Sequence, residues 1–273
     1  MAAASLAFRD RRPVTTRVLV GVALAVLALA CLHAGPRAFA ALAAVTVALG
    51  WREWVRMHQL SPILLLPGIA VLAVAALLAA IGKLVLAASV LVAASAAAAA
   101  ASLWHPQTGD RRARQDLSEA GLIYLGLPAI GLIWLLARPT GLEWIEYTVG
   151  IVCAADIAAF ACGRLIGGPK LAPALSPNKT WAGFIGAVLA AGAASAALGS
   201  QLGMNGIAAG GVGLGLGVLA MGGDLFESWL KRRAGVKDSG SILPGHGGVL
   251  DRMDGLAPVS VVVASAVAAG WLP

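Results

Sequence analysis

Asp251 and Asp254 stand three residues apart. They follow the stretch Lys237-Asp238-Ser239-Gly240-Ser241-Ile242-Leu243-Pro244-Gly245-His246-Gly247-Gly248, dense in charge and glycine. Upstream, Asp224, Glu227 and Lys231 are spaced by three and four, which on a helix puts them on one face. Two helix ends are thus able to turn carboxylates toward one point. Oxygen-only ligands of this kind suit a hard cation such as magnesium, which keeps part of its water shell and bridges to phosphate. Gly245, Gly247 and Gly248 free the backbone to come close to a ligand, and successive exposed amides form a cradle for an anion. Lys231, Arg232, Lys237 and Arg252 bring positive charge to the same region. His246, alone among glycines, is expected to form hydrogen bonds rather than ligate a metal, and no His/Cys cluster points to zinc.

Two further polar groups precede this one. Asp156, with Phe160, Gly163 and Arg164, falls inside an apolar segment. An ionised carboxylate there is costly unless it is paired or faces a wet cavity. A structural ion pair with Arg164 and a direct functional role are both open, and they are compatible. The second group is Ser176-Pro177-Asn178-Lys179-Thr180-Trp181-Ala182-Gly183. Pro177 breaks any helix, and the helix start after it offers N–H donors that suit an anion. On its own, an ordinary capped helix start explains it as well. No phosphate-binding G-x-x-x-x-G-K-[ST] loop is present.

The elements that must position these residues are membrane helices. The chain of 273 residues is 59% hydrophobic and only 12% charged, against about a quarter charged in soluble domains. Near-spanning apolar stretches recur from Val18 onward. Their richness in alanine and glycine suits close helix packing. The expected fold class is all-α, a polytopic bundle of about nine transmembrane helices: 18–34, 38–51, 61–82, 84–103, 117–137, 142–163, 181–201, 205–227 and 255–272. The second is short, and the Trp51-Arg52-Glu53-Trp54-Val55-Arg56 run at its end is expected to anchor it at the membrane interface. Residues 1–17 are basic without a convincing cleavage site, so the first apolar run is expected to be retained. With nine spans, 17 of the 20 lysines and arginines fall on one side. The positive-inside rule makes that side, and the N-terminus, cytoplasmic. The net charge of +7 is then mostly a topology signal that also favours anionic membrane lipids. The basic residues are scattered over loops without a reader motif, which argues against nucleic acid. Cys31, Cys153 and Cys162 show no C-x-x-C spacing and are expected as apolar packing residues.

Read together, Ser228-x-x-Lys231-Arg232, Lys237-Asp238, Leu243-Pro244-Gly245-His246-Gly247-Gly248 and Asp251-Arg252-x-Asp254 resemble the signature of the phosphatidate cytidylyltransferase, or CDP-diacylglycerol synthase, family. Asp156, Phe160, Gly163, Arg164 and the Ser176-Pro177-x-Lys179-Thr180 segment resemble the family's preceding motifs, with Asn178 where relatives often carry lysine. The motif-level likeness covers roughly residues 117–273, which suggests an N-terminal membrane bundle over 1–110 and a catalytic part over 111–273. The resemblance implies a magnesium-dependent transfer of CMP from CTP to phosphatidic acid, giving CDP-diacylglycerol and pyrophosphate. It also implies residence in the bacterial inner membrane with the site facing the cytoplasm, and it suggests a homodimer. Under it, Asp224, Asp251 and Asp254 would hold the metal, with room for a second cation. Lys231, Arg232, Lys237 and Arg252 would balance phosphate charge, and Asp238 and His246 would orient ligands or water. Asp156, Arg164, Ser176, Asn178, Lys179, Thr180, Ser228 and the glycines 245, 247 and 248 would contact substrate. A transporter is the rival from another class, but the polar residues gather toward one face rather than at mid-membrane. A CDP-alcohol phosphotransferase fails because Asp254-Gly255-Leu256-Ala257 is followed by Pro258 and by no later acidic residue.

Overall fold

Long apolar runs closed by glycine, proline and charge give nine α-helices in the computed structural model, which describes residues 14–104, 110–243 and 247–273. They are α1 (Val14–His33), α2 (Pro36–Met57), α3 (Leu65–Ala80), α4 (Leu84–Trp104), α5 (Asp110–Leu136), α6 (Gly141–Leu165), α7 (Trp181–Gly199), α8 (Gly206–Arg233) and α9 (Leu256–Ala268). Six helical stretches are long and apolar enough to cross a membrane. They are α2, α4, α6 and α8, together with α3 and α7 each extended by an adjoining 3-10 turn. The apolar parts of α1, α5 and α9 are shorter. The 13 residues of α9 rise only about 20 Å at 1.5 Å each, short of the ~30 Å hydrocarbon layer. Large apolar side chains on the outer surface, such as Val85 and Ile207 at 81% and 89% exposure, face where lipid tails belong. This is a polytopic all-α membrane protein.

One two-stranded hairpin interrupts the helices. β1 (Lys170–Ala172) pairs antiparallel with β2 (Ser176–Thr180), Lys170 opposite Thr180 and Ala172 opposite Ser176. Gly167 and Gly168, at φ +68° and +91°, turn the chain out of α6. Pro169, Pro173 and Pro177 then deny it a helix. The hairpin was not expected from the sequence, where two three-to-five-residue strands leave no alternation to read.

α6, α7 and α8 pack as closely as small residues allow. A Cβ on Gly213 of α8 would lie 2.5 Å from the Ala191 carbonyl oxygen and 2.9 Å from Gly192 Cα, and one on Gly217 would lie 2.9 Å from Val188 Cα. A buried polar thread joins the same helices. Tyr147 donates to Ser195 Oγ at 2.7 Å, and Ser195 donates to the Ala209 carbonyl at 2.6 Å. With no hydrophobic drive between helices in lipid, backbone proximity and such bonds supply the cohesion.

The end of α2 differs from its expected role. The helix continues unbroken to Met57, so Trp51, Trp54 and Val55, at helical spacing, turn inward and are buried. Trp51 lies on Gly68 of α3 and Trp54 on Gly121 of α5. Arg52 and Arg56 face outward. The tryptophans are core residues rather than an interface anchor, because the charged end of the run extends the helix instead of ending it. The core they join reaches from Leu32 to Val267, across the expected boundary at residue 110.

Candidate active site

α8 also outruns its expected end, reaching Arg233 before Gly235 at φ +76° turns the chain. Asp224, Glu227, Ser228, Lys231 and Arg232 therefore sit on one continuous helix. Lys231 reaches Asp251 Oδ1 at 2.8 Å and Glu227 Oε2 at 3.3 Å, joining α8 to the 3-10 turn at Leu250–Arg252. Glu227 is 2% exposed; the sequence placed it on this face but gave it no function.

Asp251 is the most engaged carboxylate. Besides Lys231, it accepts from the Gly248 N–H at 2.8 Å and from the Ser239 N–H at 3.2 and 3.3 Å. Burial works against its charged form, but Lys231 and these amides outweigh it and hold the carboxyl below its ordinary range. Gly247, at φ +81°, lets the chain curl: its carbonyl accepts from Leu243 N–H at 3.0 Å, and a side chain there would meet Asp251 Oδ2 at 2.6 Å. Gly245 and His246 lie outside the described residues.

Asp254 behaves oppositely. Burial first, then the charge of Asp224, push its carboxyl up to about 6, although the Gly255 N–H at 2.8 Å favours the anion. Its backbone carbonyl lies against Gly223, where a Cβ would come within 2.4 Å, so the Asp254 backbone abuts α8 beside Asp224. Negative charge here is under-compensated. An all-oxygen donor set with surplus charge is what a hard divalent cation neutralises, so the residues suit one in donor type. Among the described residues, no three carboxylate, imidazole or thiol groups stand close enough together to form a closed metal site.

On the other side of Asp224 lies a polar cavity of about 550 Å³, bounded by Asp156, Phe160, Arg164, Asn178, Lys179, Thr180, Gly183 and Asp224. Lys179, carried on β2, pairs with Asp224 Oδ2. Thr180 caps α7, its Oγ1 accepting from Gly183 N–H at 3.1 Å. Arg164 lies 5.9 Å from the centre of the Phe160 ring. Among the described residues it makes no ion pair with Asp156; both are exposed and border the same cavity. Ser176 belongs to β2 but does not border the cavity. Lys237, Asp238, Arg232 and Arg252 are exposed and do not line this cavity, and Ser228 is half-buried on α8; Arg232 also donates to the Val236 carbonyl at 3.1 Å.

A second opening, about 600 Å³ and almost wholly apolar, lies between α5, α8 and α9, bounded by Tyr124, Leu127, Val218, Phe226, Pro258 and Val261 among others. It includes Gly223, the neighbour of Asp224, so polar and apolar cavities adjoin across α8.

Glu53 has no role in the reading of the sequence above. This residue of α2 is 2% exposed and accepts from Leu250 N–H and the Ser239 hydroxyl. The one signal for it was an acid between two tryptophans in an apolar helix.

Residues 15–269 match the model of the cytidylyltransferase family. Three curated proteins named phosphatidate cytidylyltransferase are similar to the chain. The one from Brucella suis is 49% identical over 152 residues, covering 53% of this chain and 54% of its own. That from Helicobacter pylori is 43% identical over 141 residues, 49% and 46%. That from Staphylococcus aureus is 39% identical over 146 residues, 52% and 56%. The chain spans about half the length of the curated relatives it matches.

Proposed function

The chain belongs to the cytidylyltransferase family, and on that premise we propose that it transfers CMP from CTP to phosphatidic acid, releasing pyrophosphate. The observation that carries this reading is that three features meet along α8 between Met221 and Lys231. They are a cavity lined by acidic and basic side chains, the convergence of Lys231 with the Ser239 and Gly248 amides on Asp251, and an apolar opening between α5, α8 and α9.

In the proposed reaction a phosphate oxygen of the lipid forms a bond to the α-phosphorus of CTP, and the bond from that phosphorus to the bridging oxygen of pyrophosphate breaks. The attacking phosphate is already an anion, so no protein nucleophile is needed. Positioning and charge neutralisation supply the acceleration. Lys231, Arg232, Lys237 and Arg252 neutralise the triphosphate, and the amides flanking Gly247 and Gly248 cradle it. Lys179, Arg164 and Asn178 hold the lipid phosphate in the polar cavity, while the apolar opening beside Phe226 receives its acyl chains. Ser176, Thr180 and Ser228 support these contacts. Asp224, Asp251 and Asp254 would hold magnesium, which when bound supplies charge neutralisation at the phosphates. Asp251 does so by yielding a donor, and triphosphate is the natural competitor for Lys231.

The site faces the cytoplasm in this reading, where CTP is found, and the surplus of basic loops on that side supports a bacterial inner-membrane orientation. A homodimer and a second cation belong to the same proposal. Purified protein given CTP labelled in the cytosine, phosphatidic acid and magnesium is expected to yield a labelled lipid, and a chelator to stop it. A labelled lipid that never forms would end this reading.

A further inference from the structure

Glu53 lies in the last turns of α2, 186 residues from Ser239 and 197 from Leu250, yet its carboxylate is built into the loop that meets Asp251. Oε2 accepts from Leu250 N–H at 3.1 Å and from the Ser239 hydroxyl at 3.3 Å. Oε1 has no hydrogen-bond donor among the described residues and presses against two glycines. A Cβ on Gly240 would lie 2.5 Å from it, and one on Gly248 would lie 2.6 Å from Oε2. The loop therefore closes around this carboxylate with no room for a side chain at either position.

Ser239 is shared. Its N–H donates to Asp251 and its hydroxyl to Glu53. Gly248 donates to Asp251, and Leu250, next to Asp251, donates to Glu53. Two carboxylates, one from within the loop and one from α2, thus grip both ends of the segment 239–250. A buried carboxylate is costly unless hydrogen-bonded, so the arrangement favours the loop conformation that supplies both donors.

We infer that Glu53 is a positioning residue: from the N-terminal helices it holds the loop that shapes the triphosphate side of the site. The inference rests on the proposed cytidylyl transfer. Glu53 touches no substrate; it acts through Ser239, Leu250 and the glycine amides.

Steady-state kinetics with CTP and phosphatidic acid varied separately test this. Glu53→Ala is expected to raise KM for CTP about 10-fold or more, the scale of losing hydrogen bonds to a charged acceptor. KM for phosphatidic acid should stay within about twofold, because Lys179 and Arg164 do not depend on this loop. Glu53→Gln, whose amide oxygen takes the place of Oε2, should remain within about threefold of the wild type. Without substrates, hydrogen exchange at residues 239–243 and 247–250 should quicken in Glu53→Ala. Ser239→Ala removes one donor, keeps the N–H bond to Asp251 and leaves the carboxylate in place. It should raise KM for CTP by about threefold, and it decides the matter should Glu53→Ala not fold. A wild-type KM for CTP in Ser239→Ala and in a folded Glu53→Ala, or equal losses toward both substrates, would overturn the inference. Wild-type protein inactive with CTP and phosphatidic acid would instead sink the functional reading on which it rests.

Discussion

Asp251 takes hydrogen bonds from Lys231, Gly248 and Ser239, whereas Asp224 is less enclosed, with a side chain 31% exposed and, among the described residues, one ionic partner, Lys179. Amide substitutions at the two should therefore separate chemistry from stability. Asp224→Asn is expected to abolish CTP-dependent turnover with little change in thermal midpoint. Asp251→Asn should abolish turnover and also lower stability by about 1–3 kcal/mol, since its new NH2 group meets donors and Lys231 loses its closest anion. Turnover assays beside thermal melts in detergent check both; near-normal turnover in both variants would rule out the metal assignment. His58 gives a residue-level pH test. It is buried, and its Nδ1 lies 3.1 Å from the Trp54 carbonyl. Burial first, with the Arg233 charge, holds its imidazole below the ordinary 6.5, although the Trp54 carbonyl favours the proton. The unfolded chain takes up that proton before the folded chain does, so the associated stability is present above 6.5 and lost as pH falls below it. The thermal midpoint should drop as pH is lowered through 6.5, and His58→Phe should flatten that drop.

The helices that carry these residues tolerate side chains very unevenly. On α8, Gly213 has backbone atoms of α7 within 3 Å of where a Cβ would sit, whereas Gly215 has nothing within 4 Å. Gly213→Ala is expected to cost about 1–3 kcal/mol by forcing α7 and α8 apart. Gly215→Ala should be neutral, or stabilising by up to about 1 kcal/mol through helix propensity. Melts of the two variants side by side settle this. Helix positions were legible in the sequence because apolar length and breakers mark them plainly: α4, α6 and α7 begin within a residue of where they were expected. The ends of α2 and α8 were not. Both continue into charged residues, which look like loop when hydropathy is the guide but complete a helix when their side chains reach partners, as Lys231 does. The hairpin at residues 170–180 was hidden for the opposite reason, its strands being too short to show a period.

At the scale of the whole molecule, the polar loop in an apolar chain is explained by what surrounds it. Asp224, Lys231, Asp251 and Asp254 could be picked out by type and spacing, and the structure brings the elements carrying them together. Glu53 could not be given a role, since partners 186 residues away leave no local trace; the spacing of Glu227 and Lys231 put them on one face, but not the shared contact with Asp251. The N-terminal helices, in which the sequence shows no polar motif but which lie within the matched residues 15–269, reach the polar loop through Glu53. The central claim is that this membrane bundle moves a nucleotide, with its α-phosphorus, onto a lipid phosphate. Parallel reactions with phosphatidic acid and magnesium, one with CTP labelled in the α-phosphate and one with CTP labelled in the γ-phosphate, test it most directly. The account predicts α-label in the lipid fraction and γ-label released as pyrophosphate. Label from the γ-phosphate in the lipid, or from neither, would contradict it.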